Sequence, residues 1–241
     1  MSKLTLGDAY RRFVKSLEQT HEHEKAMQVA IGGEFDAVGV IEREILIHYG
    51  LPPEGFVIDV GCGSGRLSKP LSAYLTGPYL GIDVVPELVA HARALASRPD
   101  WTFAVAAGLE IPAAADSADM VCFFSVFTHL LHEQSYVYLR EAKRVLKPGG
   151  RAVFSFLEFA QPSHWNIFES TVADRGAEHL NVFIGRDAIQ AWAAHLQLEV
   201  VSIVGGDQPQ TPLREPLTME DGTVQTGSAT LGQSLCVLGK P

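Results

Sequence analysis

Apolar positions change their period twice along the chain, and the changes divide it into three parts. Leu6, Tyr10, Phe13, Val14 and Leu17 recur at helical spacing. Thr5 with Asp8 has the form of a capping box, with Asp in the Glu position. Gly32-Gly33 breaks the pattern, Val38, Ile41, Ile45 and Leu46 resume it, and Gly50-Leu51-Pro52-Pro53 ends it. From Phe56 the pattern alternates. Short apolar runs predict strands at 56–60, 79–83, 101–105, 120–126 and 151–157. Between them, helical spacing predicts helices at 67–75, 86–96 and 133–146, the last ended by Lys147-Pro148-Gly149-Gly150. Strand–helix alternation of this kind predicts an α/β fold, a doubly wound parallel sheet with right-handed crossovers. The tail departs from it. Residues 186–196 read as a helix, and 198–204 and 234–238 as strands. Two stretches, 158–184 and 205–231, follow neither period. The second is rich in Gly, Pro and Thr, and connections of that length are usually functional or mobile.

Composition narrows the function. The 241 residues are 46% hydrophobic and 20% charged, a globular balance able to bury a large core. Lys and Arg number 19 against 28 Asp and Glu, a net charge of −9. That charge opposes nucleic acid, which needs a basic footprint, and an anionic membrane surface. Apolar runs fall short of the roughly 18 residues of a spanning helix. The segment Met1 to Arg12 lacks the apolar stretch of a signal peptide. Three separated cysteines make no disulfide framework, so a reducing, cytoplasmic setting is expected. The expected partner is small, with neither nucleic acid nor membrane involved.

The chemistry sits in Val57-Ile58-Asp59-Val60-Gly61-Cys62-Gly63-Ser64-Gly65-Arg66. This segment leaves a strand and opens a helix, where glycines permit a tight turn and close approach to a ligand. A dinucleotide fingerprint needs glycine at position 66, which is arginine here. Asp59 precedes the loop. It disfavours a pyrophosphate and favours a ligand with an ammonium group. Asp83 ends the next strand, where a carboxylate accepts both ribose hydroxyls. A nucleoside joined to an amino acid, S-adenosylmethionine, satisfies all three features.

On these residues the chain resembles the class I S-adenosylmethionine-dependent methyltransferases. Val57 to Gly65 matches their first motif and Gly81-Ile82-Asp83 the ribose motif. Phe123 to Leu130 matches the fourth-strand region, and Leu146-Lys147-Pro148-Gly149-Gly150 the turn into strand five. The resemblance covers roughly residues 55 to 158. It implies a seven-stranded, mostly parallel sheet with an antiparallel last strand. Residues 1–50 would be a helical N-terminal cap or lid, and 51–241 the methyltransferase domain, with 158–184 and 205–231 as substrate-side insertions. It implies methyl transfer to a small-molecule acceptor, with S-adenosylhomocysteine as product. A non-catalytic cofactor-binding partner or regulatory subunit is the alternative. The expected cofactor residues are Asp59, Gly61, Cys62, Gly63, Gly65, Arg66, Asp83, Val84, Gly108, Leu109, Ser125 and Val126. Relatives often carry an acid beside adenine near position 107, which is alanine here. That leaves the backbone at Gly108 or Leu109, or Glu110, to hold the base.

His129 is the candidate catalytic residue. It follows the fourth strand, where it either positions the cofactor or acts as a general base. The plainer reading is a helix-start residue. Arg66 either reaches the methionine carboxylate or caps the loop. His21-Glu22-His23-Glu24 lacks metal-ligand spacing and reads as a solvated face, so no metal is expected. Residues 161–168, aromatic and polar, read as a plug under a loop or a substrate lid. Ile31 to Phe35 reads as a hinge or part of a closing lid.

Overall fold

The computed structural model describes residues 6–32, 34–173 and 181–241. Thr5 and Gly33 lie outside them. Helices α1 (Leu6–Glu18), α2 (His23–Val29) and α3 (Phe35–His48) come first. Then β1 (Val57–Val60), α4 (Ser68–Leu71), β2 (Tyr79–Asp83), α5 (Pro86–Ala96), β3 (Thr102–Val105) and β4 (Ala118–Phe123) alternate. A short 3₁₀ turn, Phe127–His129, leads to α6 (His132–Val145), β5 (Leu146–Phe156), α7 (His164–Ala173), α8 (Arg186–Leu196) and β6 (Glu199–Val204). The two-residue strands β7 (Thr211–Pro212), β8 (Leu217–Thr218), β9 (Val224–Gln225) and β10 (Ser228–Ala229) precede β11 (Ser234–Gly239).

Seven strands form one sheet in the order β3-β2-β1-β4-β5-β11-β6. β11, the last in the chain, runs antiparallel to both neighbours, and the other pairings are parallel. The continuous apolar runs of the sequence have a simple cause, because both faces are covered. Ile58, Val121 and Phe123 point to one side, where α6 and α8 supply Leu139, Val145, Ile189 and Leu196. Val57, Met120 and Cys122 point to the other, against Ile41 and Ile45 of α3 and Val89 and Ala92 of α5. Helix α3 is therefore part of the main core. A third, smaller cluster joins Val14 of α1 and Met27 of α2 to Val85 and Leu88 at the start of α5.

Three elements differ from the sequence pattern, each for a local reason. α4 is a single turn, because the Leu71 carbonyl takes the N–H of both Tyr74 and Leu75 and the chain leaves the helix. β4 stops at Phe123, since Ser125 adopts a left-handed backbone (φ 58°) and turns the chain. β5 begins at Leu146, because the Gly149 N–H bonds Lys240 O and the Lys240 N–H bonds Gly150 O, joining the expected turn to the chain's end. The stretch 205–231 is a nested hairpin, with β7 paired to β10 and β8 to β9. Its Leu217 and Ala229 are buried in the α3-side core. Within 158–184 lies α7, and His164 braces it. The Nδ1 of His164 accepts from the Glu158 N–H (3.0 Å) and its Nε2 donates to Gly232 O (3.0 Å).

Candidate active site

A cleft of about 1010 Å³ opens at the carboxyl ends of β1, β2 and β4. Strand order reverses between β1 and β4, which is where open α/β sheets bind ligands. Asp59, Gly61, Cys62, Gly63, Arg66, Asp83, Val84, Ser125, Val126 and His129 all line it. Gly65, Gly108 and Leu109 do not. Gly65 packs below the loop against Ala92 and Ser68, and Ala106 lines the wall near the other two.

The glycine loop is held in place by β2. The N–H groups of Gly61 and Cys62 both donate to Ile82 O (2.7 and 3.0 Å), and the Gly63 N–H donates to Asp83 Oδ2 (3.0 Å). These amides therefore fix the loop's shape. Gly61 and Gly63 have positive φ (80° and 52°). A Cβ on Gly61 would strike the Val126 side chain, and one on Gly63 would come within 2.8 Å of Ile31. The loop needs glycine for its backbone and for the close approach of its neighbours.

The two acids have different surroundings. Asp83 also accepts from the Val85 N–H (2.9 Å). Burial raises its pKa, and the bonds from Val85 and Gly63 oppose the rise. Asp59 is 3% exposed and faces the α3 side of the sheet. It accepts from the Tyr79 hydroxyl (2.7 Å) and the Cys122 thiol (3.6 Å). Burial pushes its pKa up to about 7 despite the Tyr79 bond, and the nearby Glu42 charge adds to the rise.

Arg66 spans from the loop to the helices before β1. Its Nη1 donates to Ile31 O (3.0 Å) and its Nη2 to Glu42 Oε1 (2.6 Å), while Nε is buried without a partner. Glu42 is 2% exposed. Burial raises its pKa and Arg66 opposes the rise. Ser64 Oγ donates to Met27 O (2.8 Å), so α2 is tied to the loop as well. His129 sits on the 3₁₀ turn after β4, with Tyr10 of α1 meeting it edge-on (centroids 5.8 Å apart). Tyr10, Ile31, Glu42 and Tyr138 line the cleft and were not legible as site residues. Tyr10 and Tyr138 occupy apolar-looking helical positions, Glu42 reads as a polar position of α3, and Ile31 sits at the break before Gly32, so spacing alone does not place them at the cleft. Tyr138 donates to Gly108 O (3.4 Å), and its pKa is pushed up to about 12 by burial and then by Asp83.

Among the described residues, no group of three His, Cys, Asp or Glu is placed to hold a metal. His23 pairs instead with Glu18 (3.2 Å) and meets the ring of His91. All three cysteines are buried and free. No helix among the described residues is long and apolar enough to cross a membrane.

Comparison with known proteins agrees with this geometry. Residues 58–154 match the family model of the methyltransferase domain. The ubiquinone biosynthesis O-methyltransferase of Xanthomonas axonopodis pv. citri (strain 306) is 33% identical over 163 residues, 63% of this chain and 67% of that protein. The malonyl-[acyl-carrier protein] O-methyltransferase of Methylococcus capsulatus is 28% identical over 165 residues, 65% of this chain and 58% of that protein. The chain covers between 58% and 67% of the lengths of the curated relatives it matches. In fold it is similar to magnesium protoporphyrin IX methyltransferase from Synechocystis PCC 6803, solved with bound S-adenosylhomocysteine. The TM-score is 0.64 at 13% identity, with 98% of each chain covered. The chain belongs to the class I S-adenosylmethionine-dependent methyltransferases.

Proposed function

We propose that this chain transfers the methyl group of S-adenosylmethionine to a small-molecule acceptor. The observation that carries the reading is Asp83, a half-buried carboxylate at the end of β2 that fixes the glycine loop through Gly63. Each of its oxygens accepts one backbone N–H, and each keeps a lone pair for a ribose hydroxyl. Two further features fit the cofactor. Gly61 and Gly63, both with positive φ, line the cleft with bare backbone that a cofactor can approach closely. The orphaned Nε of Arg66 is a donor suited to the methionine carboxylate.

The cofactor supplies a methyl group on a sulfonium, an electrophile that leaves behind a neutral thioether. The protein's task is then to bind, orient and exclude water. The ammonium group of the bound cofactor favours the ionised form of Asp59 against its burial, and Cys62, Val84, Ser125 and Val126 complete the wall. Gly108 and Leu109 contribute at the rim, where the Tyr138 hydroxyl already holds the Gly108 carbonyl. His129, beside Tyr10 at the cleft, orients the cofactor. The negative net charge opposes nucleic acid, and the ubiquinone-biosynthesis O-methyltransferase relative supports a small-molecule acceptor. Calorimetric titration with S-adenosylhomocysteine tests the cofactor assignment. Saturable one-to-one binding is expected, and its absence would contradict the proposal.

A further inference from the structure

A second cavity, of about 520 Å³, adjoins the cleft and shares Ile31, Glu42, Arg66 and Ser125 with it. Its other polar lining is Ser155 near the end of β5 and Gln233 just before β11. These side chains form a closed ring of hydrogen bonds. The Ser125 N–H donates to Ser155 Oγ (2.7 Å) and Ser155 Oγ to Gln233 Oε1 (2.7 Å). Gln233 Nε2 donates back to Ser125 Oγ (3.2 Å). By valence the ring leaves two donors unused, the Ser125 hydroxyl hydrogen and the second amide hydrogen of Gln233. Ser125 is also one of the few non-glycine residues with positive φ, a strain that structures retain chiefly at functional sites.

Glu42 lines the same cavity. Arg66 holds its Oε1, and no hydrogen bond among the described residues reaches Oε2. The cavity thus offers donors from the ring and a carboxylate oxygen from α3. Arg66 disfavours a cationic occupant, and Glu42 an anionic one.

We infer that this cavity is the methyl-acceptor site, that it takes a neutral compound with an ionisable hydroxyl, and that Glu42 is its proton acceptor. The inference rests on the methyl-transfer reading. The acceptor's O–H bond breaks, its proton bonds to Glu42 Oε2, and the oxygen keeps the electron pair and becomes the nucleophile. Ser125 and Gln233 donate to a neighbouring oxygen of the acceptor. Arg66 favours the ionised state of Glu42 before the transfer, against the effect of its burial. Asp59 is coupled to Glu42 by charge and disfavours a second negative charge.

The test uses 4-nitrocatechol, which carries a neighbouring oxygen and whose neutral and ionised forms absorb differently, with the full chain saturated by S-adenosylhomocysteine. The probe is expected to bind saturably without displacing S-adenosylhomocysteine, with its ionisation held to higher pH by the Glu42 carboxylate beside it. Glu42→Gln keeps an oxygen for Arg66 and still binds S-adenosylhomocysteine, and the bound probe ionises at lower pH than in the wild type. Gln233→Leu loses probe binding while S-adenosylhomocysteine still binds. The inference is overturned if the loaded protein does not bind the probe, if the probe displaces S-adenosylhomocysteine, or if Glu42→Gln ionises it as the wild type does. Failure of the wild type to bind S-adenosylhomocysteine instead overturns the methyl-transfer reading, and the acceptor site with it.

Discussion

Asp83 has two jobs at once, since the carboxylate that fixes the glycine loop is the one proposed for the ribose. Asp83→Ala should therefore weaken S-adenosylhomocysteine binding more than it destabilises the fold. Each lost charge-assisted bond costs roughly 1.5–3 kcal/mol. Calorimetry beside thermal unfolding separates the two, and unchanged affinity in a folded variant would remove Asp83 from the site. Asp59 gives a prediction in pH. Its folded pKa is about 7 against 3.8 for the free group, so the unfolded chain loses this proton first as pH rises. The stability tied to Asp59 is complete below about pH 4 and is lost up to about pH 7. By then the loss is on the order of 4 kcal/mol. Asp59→Asn keeps an oxygen for Tyr79 and removes the titration. In urea unfolding, its stability relative to wild type should improve between pH 4 and 7 and stay level above. A constant difference across that range would contradict the account. His129→Asn should raise the concentration of S-adenosylmethionine needed for half-maximal rate, while turnover at saturation largely survives. A general base would instead show a turnover loss of about 10²–10⁴, so steady-state kinetics over varied cofactor tells the two roles apart. At this scale the motif residues were legible because glycine and acid at a strand end have few other uses. Glu42 was not. It sits beside Ile41 and near Ile45 on α3, and its meaning comes only from Arg66 crossing to meet it.

At the scale of elements, the sheet was legible because strands covered on both faces are continuous apolar runs, β1 followed by Gly61 and β2 ending in Asp83. The two-residue strands of the 205–231 hairpin are too short to carry a period, and their pairing is set by packing of Leu217 and Ala229 on the α3 side. The helices before β1 divide by what they pack against. α3 lies in the main core, whereas α1 and α2 rest on the start of α5. α2 and the residues just after it reach the loop through Ser64 to Met27 O and Arg66 to Ile31 O. Gly63 gives Ile31 the room to approach. We propose that α1 and α2 form a lid over the cofactor rather than a separate domain, because their own apolar cluster is small. Hydrogen exchange with and without S-adenosylhomocysteine should show added protection over residues 10–32, and little change in β4 and β5. Equal protection with and without the ligand would sink the lid.

The whole molecule has one sheet, and its carboxyl edge gathers residues far apart in sequence. Asp59, Asp83 and Ser125 come from three strand ends, Glu42 and Arg66 from either side of β1, and Gln233 from the last strand's start. The resemblance covered roughly 55 to 158, so the cofactor half of this edge could be read from motifs. The acceptor half is assembled from α3, β5 and the tail, where no motif marks it. Glu158 shows how the tail is held. Arg186 pairs with it (2.7 Å) and Ser234 donates to it (2.6 Å), joining α8, the segment after β5 and β11. These contacts outweigh burial and keep the Glu158 carboxyl below its usual range. The central claim is methyl transfer to a small acceptor. The most direct test is incubation with methyl-labelled S-adenosylmethionine and a cell extract separated into small-molecule and macromolecular fractions. Label should enter the small-molecule fraction with the wild type and be strongly reduced with Asp83→Ala. Label that stays on the cofactor, or that appears only in protein or nucleic acid, would contradict the account.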